Sequence, residues 1–296
     1  MHFVLLGSAL LAGCLLAVQA SANLQLTKAV GTPYGASALQ LGLAAVLLAV
    51  LAAATGTIGA VALVPDVEPW HLAGGLASPL YITSGILLFP RLGALAAVGL
   101  FVTGQMFASV ALDLFGLLGV PQKPLSAGIV IGAVAVLAGI TVLSRPVRAT
   151  RAGWIGLGIV AGAVLPVQGA INARLRADLH APIAVALISF AVATLAIAVV
   201  LLLNRTPAPN PVPLKDMPWW GWLGAGCAAA YVTATFLLIP EIGAATTVAL
   251  TVTGQQIASA VIDHCGLFRM PRRPFTSARV TGLALLVAGS LLVQFG

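Results

Sequence analysis

Charged side chains are scarce in this sequence: 7% of 296 residues, against about 25% in soluble domains. Hydrophobic residues reach 60% and mean hydropathy is +1.09, so lipid is the expected solvent for most of the surface. Acids are the rarer sign, seven against fourteen Lys and Arg. Seven acids spread singly do not build a reaction centre, which excludes a membrane enzyme acting on lipids and leaves no catalytic residues to assign. Cysteine is nearly absent: Cys14, Cys227 and Cys265 lie in or beside apolar runs without CxxC or histidine spacing. They support neither a disulfide framework nor a metal site, and His2, His71, His180 and His264 share no ligand spacing either. No GxxxxGK[ST] loop is present, so this chain alone cannot drive primary active transport. No cofactor is expected. The net charge of +7 is no nucleic-acid footprint, because the bases fall between apolar runs.

What the sequence has instead is long apolar stretches. The charges divide it into ten windows at or near spanning length: 1–27, 29–65, 69–90, 92–112, 124–144, 152–173, 179–204, 217–240, 242–262 and 280–296. A bilayer core about 30 Å thick needs roughly 20 helical residues. The windows are continuously apolar rather than alternating, which excludes strands of a barrel. The expected fold is an all-α polytopic membrane protein with ten transmembrane helices.

The chain also repeats itself. The segment from Tyr81, "YITSGILLFPRLGALAAVGLFVTGQMFASVALDLFG", aligns without a gap on that from Tyr231, "YVTATFLLIPEIGAATTVALTVTGQQIASAVIDHCG". The offset is 150 and pairs Pro90 with Pro240, Gly93 with Gly243, Gln105 with Gln255 and Asp113 with Asp263. It continues through Pro121 with Pro271 and Pro124 with Pro274. Nearer the amino ends it becomes 149, pairing "AVQASANLQL" from Ala17 with "PVQGAINARL" from Pro166. So many polar, Gly and Pro identities in register mark a duplication, with one repeat in 1–146 and the other in 147–296. The lipobox-like Leu11-Ala12-Gly13-Cys14 aligns with internal Val160-Ala161-Gly162-Ala163, and Met1-His2-Phe3 offers no basic leader. The first helix is therefore expected to be retained.

Five spans per repeat require the second to enter the membrane inverted. With both termini non-cytoplasmic, the cytoplasmic loops and flanks hold Lys28, Arg91, Arg145, Arg148, Arg151, Arg205, Lys215, Arg269, Arg272, Arg273 and Arg279. The opposite side holds only Lys123, Arg174 and Arg176, a positive-inside bias of eleven to three.

Polar residues inside apolar helices are the candidate site. Gln19 and Asn23, and their counterparts Gln168 and Asn172, are four apart and share a helical face. Carboxamides in lipid need partners, so both pairs should face the interior, as substrate contacts or as interhelical hydrogen bonds. Gln105, Ser109 and Asp113 form a stripe repeated by Gln255, Ser259 and Asp263, beside the small-residue flanks Gly104/Ala108 and Gly254/Ala258. The stripe reads as a packing seam ahead of a translocation path. Asp113 and Asp263 end their spans where the helix dipole opposes a negative charge, so an Arg or another helix's amino end should compensate. A structural ion pair is the simpler reading, proton coupling the other. Tyr81 and Tyr231 lie mid-span and qualify as cavity residues. Trp70, Trp154, Trp219, Trp220 and Trp222 lie near helix starts as an interfacial belt, ahead of a cation cage. Gly128/Gly132 and Gly158/Gly162 read as packing surfaces.

The segments "QGAINARL" from Gln168, "IPEIGAATTVALTVTGQQIASAVIDHCG" from Ile239 and "PRRPFTSARVTG" from Pro271 resemble the YdcZ-like family of the drug/metabolite transporter superfamily. The likeness covers both halves, as in a fused antiparallel pair. It implies a transporter fold of two inverted five-helix repeats in a bacterial inner membrane. The expectation is a secondary transporter, an exporter of a small metabolite or drug-like solute by alternating access, with its cavity between the repeats. Its partners would be membrane lipids and the solute, with no nucleic acid, in a monomer or homodimer. A channel-like or structural membrane protein is the alternative.

Overall fold

The computed structural model describes residues 2–92, 94–143, 152–205, 212–269, 272 and 276–295. Among them, helix is the only regular structure, and ten α-helices of sixteen or more residues occur, one for each apolar window. In chain order they are α1 (His2–Val30), α2 (Pro33–Ala54), α3 (Ala77–Leu92), α4 (Ala94–Phe115) and α5 (Ala127–Leu143). The second half follows with α6 (Ala152–Leu179), α7 (Pro182–Leu203), α8 (Leu223–Ile242), α9 (Ala244–Cys265) and α10 (Ser277–Phe295). The helices α1, α2, α4, α6, α7, α8 and α9 are long and apolar enough to cross a membrane. The other three carry shorter apolar runs: α3 has 16 residues, while the apolar stretches of α5 and α10 are Ala127–Gly139 and Val280–Val293.

Two windows are less simple than a single span. The run 29–65 yields α2 and then a 3-10 segment, Thr57–Asp66, because Gly56 adopts a left-handed φ of 72° and ends the α-helical ladder. Before α3, the run from residue 69 begins as another 3-10 segment, Pro69–Leu76. There Gly74 lies against Asn172 and Gly75 against the Ser189 backbone, and side chains at either glycine would clash. His71, in the same segment, meets the Asp178 carboxylate at the end of α6 at 2.5 Å. The expected repeat boundary between 146 and 147, with Arg145, Arg148 and Arg151, lies outside the described residues. So do Gly93, Pro271, Arg273 and Pro274.

Packing follows the duplication. The pair α1 and α9 is matched by α6 and α4, and α1 with α8 by α6 with α3; α2 meets α7, α4 meets α9 and α5 meets α10. Exchanging the halves returns each of these pairs. The equivalents α4 and α9 run in opposite directions. Asp113 near the end of α4 reaches Ala244 and Ala245 at the start of α9, while Val102 and Met106 pack with Val248 and Val252. Three of these contacts, α1 with α9, α4 with α6 and α5 with α10, close on glycine. Gly13 lies against the Thr251 carbonyl and Gly254 against that of Leu10; Gly162 lies against the Phe101 carbonyl and Gly104 against that of Ile159. In α5 and α10, Gly132 and Gly289 face one another. Without a hydrophobic force between helices in lipid, this close backbone approach gains its stability from dispersion. The faces left over are apolar: Val46, Val50, Leu195, Leu202 and Leu203 are all exposed.

Candidate functional site

Where α1, α2 and α3 meet α6, α7 and α8, twelve side chains line a cavity of about 310 Å3, part of which is open to its surroundings. They fall into six repeat-related pairs: Leu16 with Leu165, Gln19 with Gln168, Leu41 with Phe190, Ser78 with Ala228, Tyr81 with Tyr231, and Ile82 with Val232. The pseudo-two-fold axis therefore passes through it. The space open to the centre of a water-sized body is about 20 Å3, enough for a water molecule. In this conformation its own side chains fill most of that space.

Four of the candidates from sequence converge here: Gln19, Gln168, Tyr81 and Tyr231. Gln168 Nε2 donates to Ser78 Oγ at 2.9 Å. Gln19 has no such partner, because its counterpart of Ser78 is Ala228, and its buried Oε1 accepts no hydrogen bond among the described residues. The tyrosines differ in a parallel way. Tyr81 lies close to the Gln255 side chain across the two halves and packs on Phe101 with ring centroids 5.0 Å apart. Tyr231 instead lies close to Thr251, the residue in Phe101's equivalent position. Gln105, the counterpart of Gln255, is 1% exposed with neither amide atom partnered among the described residues.

The asparagines lie elsewhere. Asn172 Nδ2 donates to Ser189 Oγ at 3.1 Å, and its Oδ1 lies against Gly74. Asn23 lines a smaller space beside Gln40, Trp222 and Gly224, with its oxygen against Gly224. The Asn–Gly contact is thus repeated, and neither asparagine reaches the central cavity.

Asp113 belongs to a different construction. It is 2% exposed, and its carboxylate accepts from the backbone N–H of Ala244 at 2.7 Å and of Ala245 at 2.8 Å. The amino end of α9 carries partial positive charge and unpaired N–H groups, which a carboxylate satisfies. Lys123 Nζ donates to the Ile242 carbonyl at 2.5 Å, tying off the end of α8. Gly243, between the two helices, has φ 87° and leaves no room for a Cβ beside Lys123. One half therefore clamps both sides of a hairpin in the other. Asp263, its counterpart, is partly exposed. On the stripe above Asp113, Ser109 is fully buried and returns its hydroxyl to the Met106 carbonyl.

The tryptophan faces already hold cations of the chain itself. The Arg91 guanidinium sits 4.4 Å from the Trp154 ring centre, and that of Arg269 lies 6.0 Å from Trp220. Sequence reasoning passed over Ser78, Leu16, Leu165, Leu41, Phe190, Ile82, Val232, Ala228 and Lys123. The 149/150 offsets would have paired the cavity residues, but nothing in the sequence says which pairs face the axis.

A family model described as "Putative inner membrane exporter, YdcZ" matches residues 4–142 and again 153–292. The chain belongs to this family. Its double match makes the protein a two-repeat member, which agrees with the duplication and the resemblance in the sequence. The family places the chain among multi-pass transporters of the inner membrane. A solved crystal structure of a protein 17% identical to this chain shares the fold, with a TM-score of 0.67 over 97% of this chain and 96% of that one. No curated protein matches the sequence.

Proposed function

We propose that the protein is a secondary exporter of a small solute. It works by alternating access about the cavity between two inverted five-helix repeats, 1–146 and 147–296. All ten helices cross the membrane, and the eleven-to-three positive-inside bias sets both termini on the non-cytoplasmic side. The observation that carries the reading is the six-pair lining of the cavity. Inverted-repeat transporters hold substrate where their halves meet, because a site on the pseudo-axis can face either side when one half rocks on the other.

The lining carries carboxamide, hydroxyl and aromatic groups and no charge, which favours a neutral or singly charged solute over a polyanion. Asp113 acts as a structural clamp rather than a proton carrier, since both its oxygens are committed to backbone donors. Purified protein in liposomes should show saturable uptake that accelerates when the opposite side is preloaded with the same solute. Flux proportional to concentration, with no counterflow, would establish a channel and end this reading.

A further inference from the structure

We infer that the cavity recognises a solute with an N–H or O–H donor and an apolar body, an amine or an alcohol rather than a carboxylate, and that Gln19 receives that donor. The inference rests on the proposed role of the cavity as substrate site and names the class of solute it takes. Two repeats with identical linings would bind a solute in two equivalent orientations. Five of the six pairs here keep their chemical character; Ser78 and Ala228 do not. On one side Ser78 satisfies the Gln168 carboxamide at 2.9 Å. On the other, Ala228 offers a methyl group, and Gln19 Oε1 stays buried without a donor among the described residues. Gln19 itself is only 6% exposed. A buried carbonyl oxygen without a donor loses the hydrogen bond it would make to water. A solute that supplies that donor recovers it, and does so only on the α1 side.

The rest of the lining sets the charge of the solute. Leu16, Leu165, Leu41, Phe190, Ile82 and Val232 supply apolar walls. No Lys, Arg or His lines the space, so a carboxylate would be desolvated without a counter-charge. An ammonium has better company, since the faces of Tyr81 and Tyr231 and the carboxamide oxygen all attract a cation. The single Ser/Ala difference thereby fixes which end of the solute meets which half.

The test uses three probes of one shape and different head groups: 2-phenylethylamine, 2-phenylethanol and phenylacetate. Binding to the detergent-purified full chain is read by titration calorimetry. The amine and the alcohol should bind, and phenylacetate at least about tenfold more weakly. A228S places a hydroxyl beside Gln19 and should weaken the amine and the alcohol by about 3- to 10-fold, the loss of one hydrogen bond. S78A removes only the acceptor of Gln168 Nε2 and leaves Gln19 Oε1 as it is, so it should keep amine and alcohol affinity within about twofold of wild type, which a merely damaged cavity would not do. Phenylacetate binding as tightly as the amine would overturn the inference, as would A228S without effect or S78A as damaging as A228S. In each of those cases the cavity remains a solute site. If none of the three probes binds, the inference falls alone provided counterflow of another solute persists in liposomes, and it falls with the transport reading if that is lost too.

Discussion

Asp113 lies at the carboxyl end of α4, where its own helix dipole opposes a negative charge, and the start of α9, with the Lys123 ammonium nearby, offsets it. A carboxylate on two terminal N–H groups is an N-cap supplied across the interface between halves, and removing such a cap costs about 0.5–2 kcal/mol. D113A should therefore lower the apparent melting temperature of the detergent-purified protein by several degrees, while D113N, which still accepts a hydrogen bond, should recover part of that loss. Equal melting of D113A and wild type, followed by tryptophan fluorescence, would show that the clamp adds nothing. Gln19 and Gln168 teach a related lesson: identical residues at equivalent positions acquire different roles because Ser78 faces one and Ala228 the other.

At the scale of helices, four glycines set how near the halves can come. A Cβ at Gly104 would overlap the Ile159 carbonyl, and one at Gly254 the Leu10 carbonyl, so α4 would have to retreat from α6 and α9 from α1. These contacts are backbone against backbone, and no side-chain rotation relieves them. G104A and G254A should each destabilise the fold by about 1–3 kcal/mol, as overpacking does elsewhere. G7A, at a position with open space around the added methyl, should be neutral. Melting temperatures of the three variants in one detergent check this directly; G104A melting like G7A would contradict the contact. The small-residue flank expected beside the polar stripe is thus a packing surface, with Gly158 and Gly162 on the facing helix completing it.

At the scale of the whole molecule, the duplication brings equivalent helices together. The helices α4 and α9 share a sequence pattern, run in opposite directions and touch each other, which places equivalent ends on opposite sides of the fold. Orientation in the membrane follows from charge: basic loops resist translocation, so the side carrying eleven of fourteen bases should be cytoplasmic. A reporter active only in the cytoplasm should be silent when fused after Gly296 and active when inserted between Arg145 and Arg151. The reverse pattern would invert the assignment and with it the direction of transport.

The helical content, the duplication and the family were legible in the sequence, because each is written in one dimension. Ten apolar windows give ten helices since lipid leaves the backbone no other partner than itself. Gln19, Gln168, Tyr81 and Tyr231 stood out because a polar group within an apolar run always requires an explanation. What the sequence alone could not decide was which of the polar residues converge. Asn23 and Asn172 share a helical face with the two glutamines, yet one more helical turn carries them off the axis to Gly224 and Gly74. Nor could it show that Asp113 caps a helix of the other half, or that Ser78 and Ala228 make the two glutamines unlike. Those facts depend on distances between segments about 90 to 210 residues apart in sequence, which periodicity does not encode and only packing of the two halves brings together.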